Sequence, residues 1–177
     1  MKFFSENIED LRTLYIANLK KALDMEQKIT KALPTMIEKS TDPQLATAFR
    51  NHLTETQGHV AKVESILRKA TGDASTSSCK AISALVTEAE DNIKDASDLS
   101  IRDITLIASA QQVEHHEIAV YGTLRTWAEL LGDDEAADIL ETILDEEKNA
   151  DELLSTISDS VNTTGVVTQK AYTGTAV

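Results

Sequence analysis

Two short turns constrain this chain more than any other feature. "STDPQ" (40–44) and "GDD" (132–134) each join two segments, about 30 residues long, whose apolar residues recur at helical spacing. Between the two pairs lies a connection of roughly 30 residues that holds a shorter helical stretch, about 80–96. A tight turn makes its two helices antiparallel neighbours, and the long connection can return the chain to its starting end.

The first segment runs from about Ser5, read as its N-cap, to about Lys39. Its apolar line is Leu11, Tyr15, Leu19, Leu23, Ile29, Leu33 and Ile37, and Pro34 is expected to bend it. The second, from Pro43 to about Ala70, carries Leu45, Phe49, His52, Thr56, His59, Val63, Ile66 and Ala70, an alternation of four and three that marks a bundle seam. The third spans about Ser100 to Leu131 and stops at Gly132, a natural C-terminal cap. Its stripe (Ile104, Ile107, Ala110, Ile118, Tyr121, Leu124) runs through Glu114 and Glu117. The fourth, from Asp133 to about Val161, lines up Ala136, Leu140, Ile143, Glu147, Ala150, Leu154, Ile157 and Val161. The order predicts an all-α, ferritin-like four-helix bundle over residues 1–161, a single domain. Residues 162–177, rich in Thr, Gly and Val, show no helical period and are read as a non-helical tail lying against another surface, such as a second subunit.

Each turn serves as a ruler. Glu26 lies 15 residues before Thr41 and Glu55 lies 14 after it; Glu117 lies 15 before Gly132 and Glu147 lies 15 after it. At about 1.5 Å per residue, all four carboxylates stand roughly 22 Å from their turns, near mid-bundle. Each falls on or beside its helix's apolar line. His59 is one turn beyond Glu55, Asp151 one turn beyond Glu147, and Glu114 one turn before Glu117.

Six carboxylates packed together would repel one another, and several would have to take up protons. Two metal ions resolve the conflict, and oxygen-rich sites with one or two imidazoles suit iron or manganese better than zinc. The expected ligands are Glu26, Glu55, His59, Glu114, Glu117, Glu147 and Asp151, the bridges drawn from Glu55 and Glu147 and the terminal ligands from Glu26, His59, Glu114 or Glu117, and Asp151. His52, one turn before Glu55, is assigned to the core or to support of the ligands. Tyr121 can pack or hydrogen-bond a ligating carboxylate. His115 and His116 are turned away from the stripe of Glu114 by roughly 100° and 200°.

Composition narrows the rest. The net charge of −13 argues against a nucleic-acid backbone or an anionic membrane as partner and is compatible with handling cations. No apolar run approaches a membrane span, and the N-terminus leads into charge rather than a signal-peptide core. The single cysteine, Cys79, fits a reducing cytoplasm, and no base stands near it in sequence to mark a nucleophile. The acidic run 88–98 reads as a solvated helix face. There is no glycine-rich phosphate loop, no Ser-His-Asp arrangement and no basic aromatic patch.

In "QQVEHHEIAVYGTL" (111–124), "HLTETQGHV" (52–60) and "ILDEEKNADELL" (143–154) the chain resembles the YciF/YciE-type family of bacterial ferritin-like stress proteins, over roughly residues 3–160. The resemblance implies a ferritin-like bundle, a cytoplasmic homodimer and an association with stress, but no defined reaction. The ligand pattern is also similar to that of rubrerythrin: one Glu on the first helix, a Glu–His pair on the second, Glu-x-x-Glu on the third and a Glu–His pair on the fourth. Glu26, Glu55 with His59, Glu114 with Glu117, and Glu147 occupy the matching places. The Glu55–His59 spacing of four and Asp151 in place of a histidine depart from that pattern. Two readings follow: a di-iron or di-manganese protein acting on peroxide or oxygen, or a non-catalytic dimeric stress protein that keeps a relic polar core.

Overall fold

The computed structural model describes residues 7–173, and the side chains of 7–165. Five helices follow one another: α1 (Leu11–Lys39), α2 (Pro43–Thr71), α3 (Lys80–Asp95), α4 (Leu99–Leu130) and α5 (Asp134–Thr173). The four long ones form the expected bundle and α3 is the helix of the crossover.

Local chemistry sets the boundaries. α1 begins at Leu11 because Asp10 and Thr13 form a capping box; the expected cap, Ser5, lies outside the described residues. The helix continues through Pro34 without interruption. Asp42 caps α2 through the N–H groups of Gln44 and Leu45, with Pro43 in the first turn where its missing donor costs nothing. Asp98 caps α4 in the same way. Gly72 and Gly132 end α2 and α4 at φ 79° and 72°, a left-handed conformation that a β-carbon disfavours.

The end of α5 corrects one expectation. Residues 162–173 continue the helix, although their β-branched residues are poor helix formers. Packing outweighs propensity there. Val161 is buried, and at the next turn Gly165 passes so close to α4 that a β-carbon would sit 2.5 Å from Ile104 Cδ1. Residues 174–177 of the expected tail lie outside the described part.

α1 pairs with α2 and α4 with α5; α2 also touches α5, and α1 touches α4. α3 lies across α1 and α4, tied down where Lys28 Nζ donates to Ser83 Oγ (2.8 Å) and the Cys79 N–H donates to Asp24 Oδ2 (2.7 Å). The bundle ends are apolar: Leu45 and Leu106 toward one, Leu67 and Leu140 toward the other, all fully buried. Each contributes about 1.5–3 kcal/mol. The buried Asp103 of α4 reaches the α1–α2 turn, accepting from the N–H of Thr41 (2.8 Å) and of Asp42 (2.9 Å) and from the Thr41 hydroxyl. The start of α4 is therefore fastened to the first hairpin, which puts the two turns at opposite ends. Among the described residues, no helix is long and apolar enough to cross a membrane.

Candidate metal centre

Halfway along the bundle the apolar core is interrupted. The helix-two seam, expected to be continuous, delivers His52, Thr56 and His59 inward; α1 adds Glu26, α4 adds Glu114 and Glu117, and α5 adds Glu147. Glu26, His59, Glu117 and Glu147 are 0% exposed, Glu114 3% and His52 6%. Thr56 is satisfied locally, its hydroxyl donating to the His52 carbonyl at 2.8 Å. The other six face one another.

Their ligand atoms fall into two groups, Glu26–His59–Glu147 and His52–Glu114–Glu117–Glu147, each lying within 4.8 Å. Glu147 belongs to both. Its Oε1 is 2.9 Å from His59 Nδ1 and its Oε2 is 3.9 Å from His52 Nε2. One carboxylate thus presents one oxygen to each group, the disposition of a bridging ligand.

Each imidazole turns one nitrogen inward and the other toward an outer carboxylate. His59 Nδ1 faces Glu147 and, at 3.6 Å, Glu26, while Nε2 meets Glu146 Oε2 at 2.7 Å. Lys62 Nζ donates to that same oxygen at 2.7 Å. His52 Nε2 lies 3.3 Å from Glu114, and its Nδ1 lies 3.7 Å from Glu55. Carboxylate–imidazole pairs of this kind select the tautomer in which the inward nitrogen is free to ligate. Tyr121 donates its hydroxyl to Glu26 Oε1, leaving Oε2 turned to the centre.

The electrostatics of this arrangement are costly as it stands. Twelve buried side-chain N or O atoms among the described residues lack a hydrogen-bond partner, and nine of them belong to these six residues. Both oxygens of Glu117 and of Glu147 are among them. Burial, and then the neighbouring carboxylates of Glu147 and Glu26, hold the Glu117 carboxyl well above the usual range. Glu114 is likewise raised by burial and by Glu147, against the pull of His52. Burial disfavours the imidazolium of His52 and His59, but the surrounding carboxylates prevail. His52 is raised to about 9, chiefly by Glu55, Glu114 and Glu147, and His59 to about 10 by Glu147 and Glu26. Without cations the cluster must keep protons. Four carboxylates and two imidazoles with free lone pairs are the donor set that iron or manganese takes.

Five expected ligands therefore come together: Glu26, His59, Glu114, Glu117 and Glu147. Two do not. Glu55 points outward with 46% of its side chain exposed, because Thr56 holds the inward position one residue later. Asp151 sits on the flank of α4 and α5, 3.3 Å from Gln111 Nε2 and 3.4 Å from His115 Nε2. One turn along α5 from Glu147 carries it past the centre. His52, expected to play a supporting part, is inside the second group; its place on the seam was the better guide than its height. Glu146 carried no sequence signal, being one of three consecutive acids, 145–147. Cys79 also differs from expectation: its Sγ lies 3.8 Å from His116 Nε2, a base that sequence distance conceals.

Fold and centre together define a ferritin-like helical bundle with a core of carboxylates and imidazoles. The family described as Domain of unknown function (DUF892) matches residues 10–167, and the chain belongs to it. It is 35% identical over 146 residues to Protein YciF of Escherichia coli (strain K12), covering 82% of this chain and 88% of YciF. The crystal structure of the E. coli stress protein YciF matches with TM-score 0.84 at 33% identity, over 88% of this chain and 98% of that one. YcfI from Rhodopseudomonas palustris matches with TM-score 0.84 at 40% identity, over 87% and 98%. A ferritin-like, diiron-carboxylate protein from Bacillus anthracis str. Ames shares the fold at 18% identity (TM-score 0.66, over 85% and 99%).

Proposed function

We propose that the mid-bundle cluster is a dinuclear metal centre for iron or manganese, and that the protein acts in stress by turning over peroxide or oxygen. The observation that carries this reading is the convergence of nine partnerless buried atoms on two ligand groups that share Glu147. Burying that many unpaired groups for packing alone would cost several kcal/mol. Glu26, His59 and Glu147 would hold one ion; His52, Glu114, Glu117 and the second oxygen of Glu147 would hold the other. A metal pair in such a site supplies redox chemistry toward oxygen or peroxide.

The chain's own residues do the rest. Glu146, braced by Lys62, keeps the outer nitrogen of His59 protonated so that Nδ1 faces inward. Tyr121 fixes the rotamer of Glu26. The leucines above and below close the centre at the two ends of the bundle. The family resemblance further supports a homodimer in the cytoplasm, a reading that size-exclusion chromatography and cell fractionation test.

Elemental analysis of protein purified from cells supplied with iron and manganese tests the centre. About two ions per chain are expected, as the two ligand groups require. A purified protein that holds no transition metal, and takes up none when it is supplied, would establish the relic-core reading instead. Peroxide consumption by the loaded protein then separates an enzyme from a binder.

A further inference from the structure

Two cavities abut His52 and Glu114, and they differ in kind. One, of about 40 Å³, lies under α3 between Ile29, Phe49, Ile93 and Val113. The other, of about 160 Å³, opens between α2 and α5 and is lined by Asn51, Glu55, Glu146 and Asn149 as well as His52 and Glu114. The second has about four times the volume of the first. A cation still carrying part of its hydration shell is better accommodated by the second, whose walls are the more polar.

The residues of the second cavity form a graded path. At the mouth, Glu55 is half exposed and has one loose contact in the structure, 3.7 Å to His52 Nδ1. Glu146 on the facing wall is engaged already by Lys62 and His59. Inside, His52 is 6% exposed and both its nitrogens lack a hydrogen-bond partner. Its Nε2 then lies 3.3 Å from Glu114 and 3.9 Å from Glu147.

The geometry points to this cavity as the entry port for a divalent cation, with Glu55 the capturing carboxylate at its mouth and His52 the nitrogen that passes the ion inward. The inference rests on the dinuclear-centre reading and adds a route and a direction to it. It also gives Glu55 a part that its exposure allows and direct ligation does not. A charge at the mouth of a narrow, low-dielectric path raises the local cation concentration and the rate of entry. Because entry and exit share one path, narrowing the path alters both rates alike, whereas a change at Glu55, which also faces the ligating His52, acts on entry and on affinity together.

The test is the rate of Mn²⁺ uptake by the metal-free full-length protein, followed by the loss of the free-ion electron paramagnetic resonance signal, with release into excess EDTA measured in parallel. Glu55→Gln, whose amide oxygen can still face His52 Nδ1, should slow uptake by about fivefold to tenfold, with the number of ions per chain at saturating Mn²⁺ unchanged. Ala150→Leu, which narrows the same cavity without touching a ligand, should slow uptake and release alike. Val86→Leu, beside the apolar cavity, should leave both at the wild-type rate. Wild-type rates in both Glu55→Gln and Ala150→Leu overturn the port, and so does a lowered ion count in Glu55→Gln, which would make Glu55 a ligand. A wild-type protein that binds no Mn²⁺ or Fe²⁺ overturns the dinuclear centre itself, and the port with it.

Discussion

Asp103 and Glu117 are both buried carboxylates of α4, about four turns apart, and they are built for opposite purposes. Asp103, at the α1–α2 turn, accepts three hydrogen bonds, two from backbone N–H groups that would otherwise be orphaned. Glu117, at mid-bundle, has neither oxygen partnered. Burial alone therefore does not mark a functional acid. What separates the two is whether the protein itself satisfies the carboxyl: Asp103 fastens one hairpin to the other, while Glu117 faces the carboxyl groups of Glu147, Glu26 and Glu114.

The comparison can be broken by substitution, and Glu147 is the strongest lever. Because both ligand groups share it, Glu147→Ala should reduce bound metal from about two ions per chain to a small remainder, as read by elemental analysis. If one ion survives at full occupancy, Glu147 is not a bridge. Asp103→Ala should do the reverse, costing about 2–4 kcal/mol by stranding the turn's N–H groups. That corresponds to a fall of about 5–15 °C in the melting temperature of the metal-free protein, with metal content intact. Glu117→Gln sharpens the contrast in sign. Replacing a carboxyl that the metal-free cluster already keeps protonated by a neutral amide should leave the metal-free protein about as stable, while the group containing His52 loses its ion. Tyr121→Phe, which strands Glu26 Oε1, should cost about 1–2 kcal/mol in thermal unfolding and weaken the ion held by Glu26 and His59 about tenfold in a calorimetric titration.

The smallest and broadest effect is on pH. In the metal-free protein His52 and His59 titrate near 9 and 10 rather than 6.5, so the folded chain binds those protons more tightly. Their stabilisation is complete below about pH 6.5 and is lost as pH rises through 9 to 10. Glu114 and Glu117 are raised too. The fold prefers them neutral, and their effect turns unfavourable from their ordinary value of 4.5 upward. Glu146, held below the usual range by Lys62 and His59 although burial opposes it, acts in the other sense only near and below pH 4.5. The melting temperature of metal-free protein should therefore fall steadily from pH 5 to pH 10. Metal affinity should rise over the same interval, since each ligand must give up its proton. A flat melting profile would mean that the cluster does not hold protons as argued.

Most of this architecture was legible in the chain, and the parts that were not are instructive. Residues 15 from a tight turn in helices of this length must lie at mid-bundle, which placed Glu26, Glu117 and Glu147 correctly in height. Rotation about the helix was harder to read. Glu117 lies about 60° off the stripe of Glu114, and Glu55 about 60° off the seam position of His52, yet one is fully buried and the other half exposed. Nothing in the spacing separates them. α4 is covered by α1, α3 and α5, so its flank is closed; α2 packs chiefly on α1 and α5, and its flank opens on the cavity. The tail erred for a related reason. Its composition is poor for a helix, but Ile104 offered a surface that rewarded one.

The sequence by itself determined five helices, the two tight turns, their antiparallel pairing and the layer at which acids interrupt the apolar seams, because period, turn chemistry and rise per residue are local properties. Only the tertiary structure decided which acids face one another, that His52 rather than Glu55 shares a group with Glu147, and that Glu146, with Lys62, engages His59 while Tyr121 engages Glu26. Those contacts join residues 84 to 95 positions apart, and they depend on which helix flank a neighbour covers, a quantity that no single helix encodes.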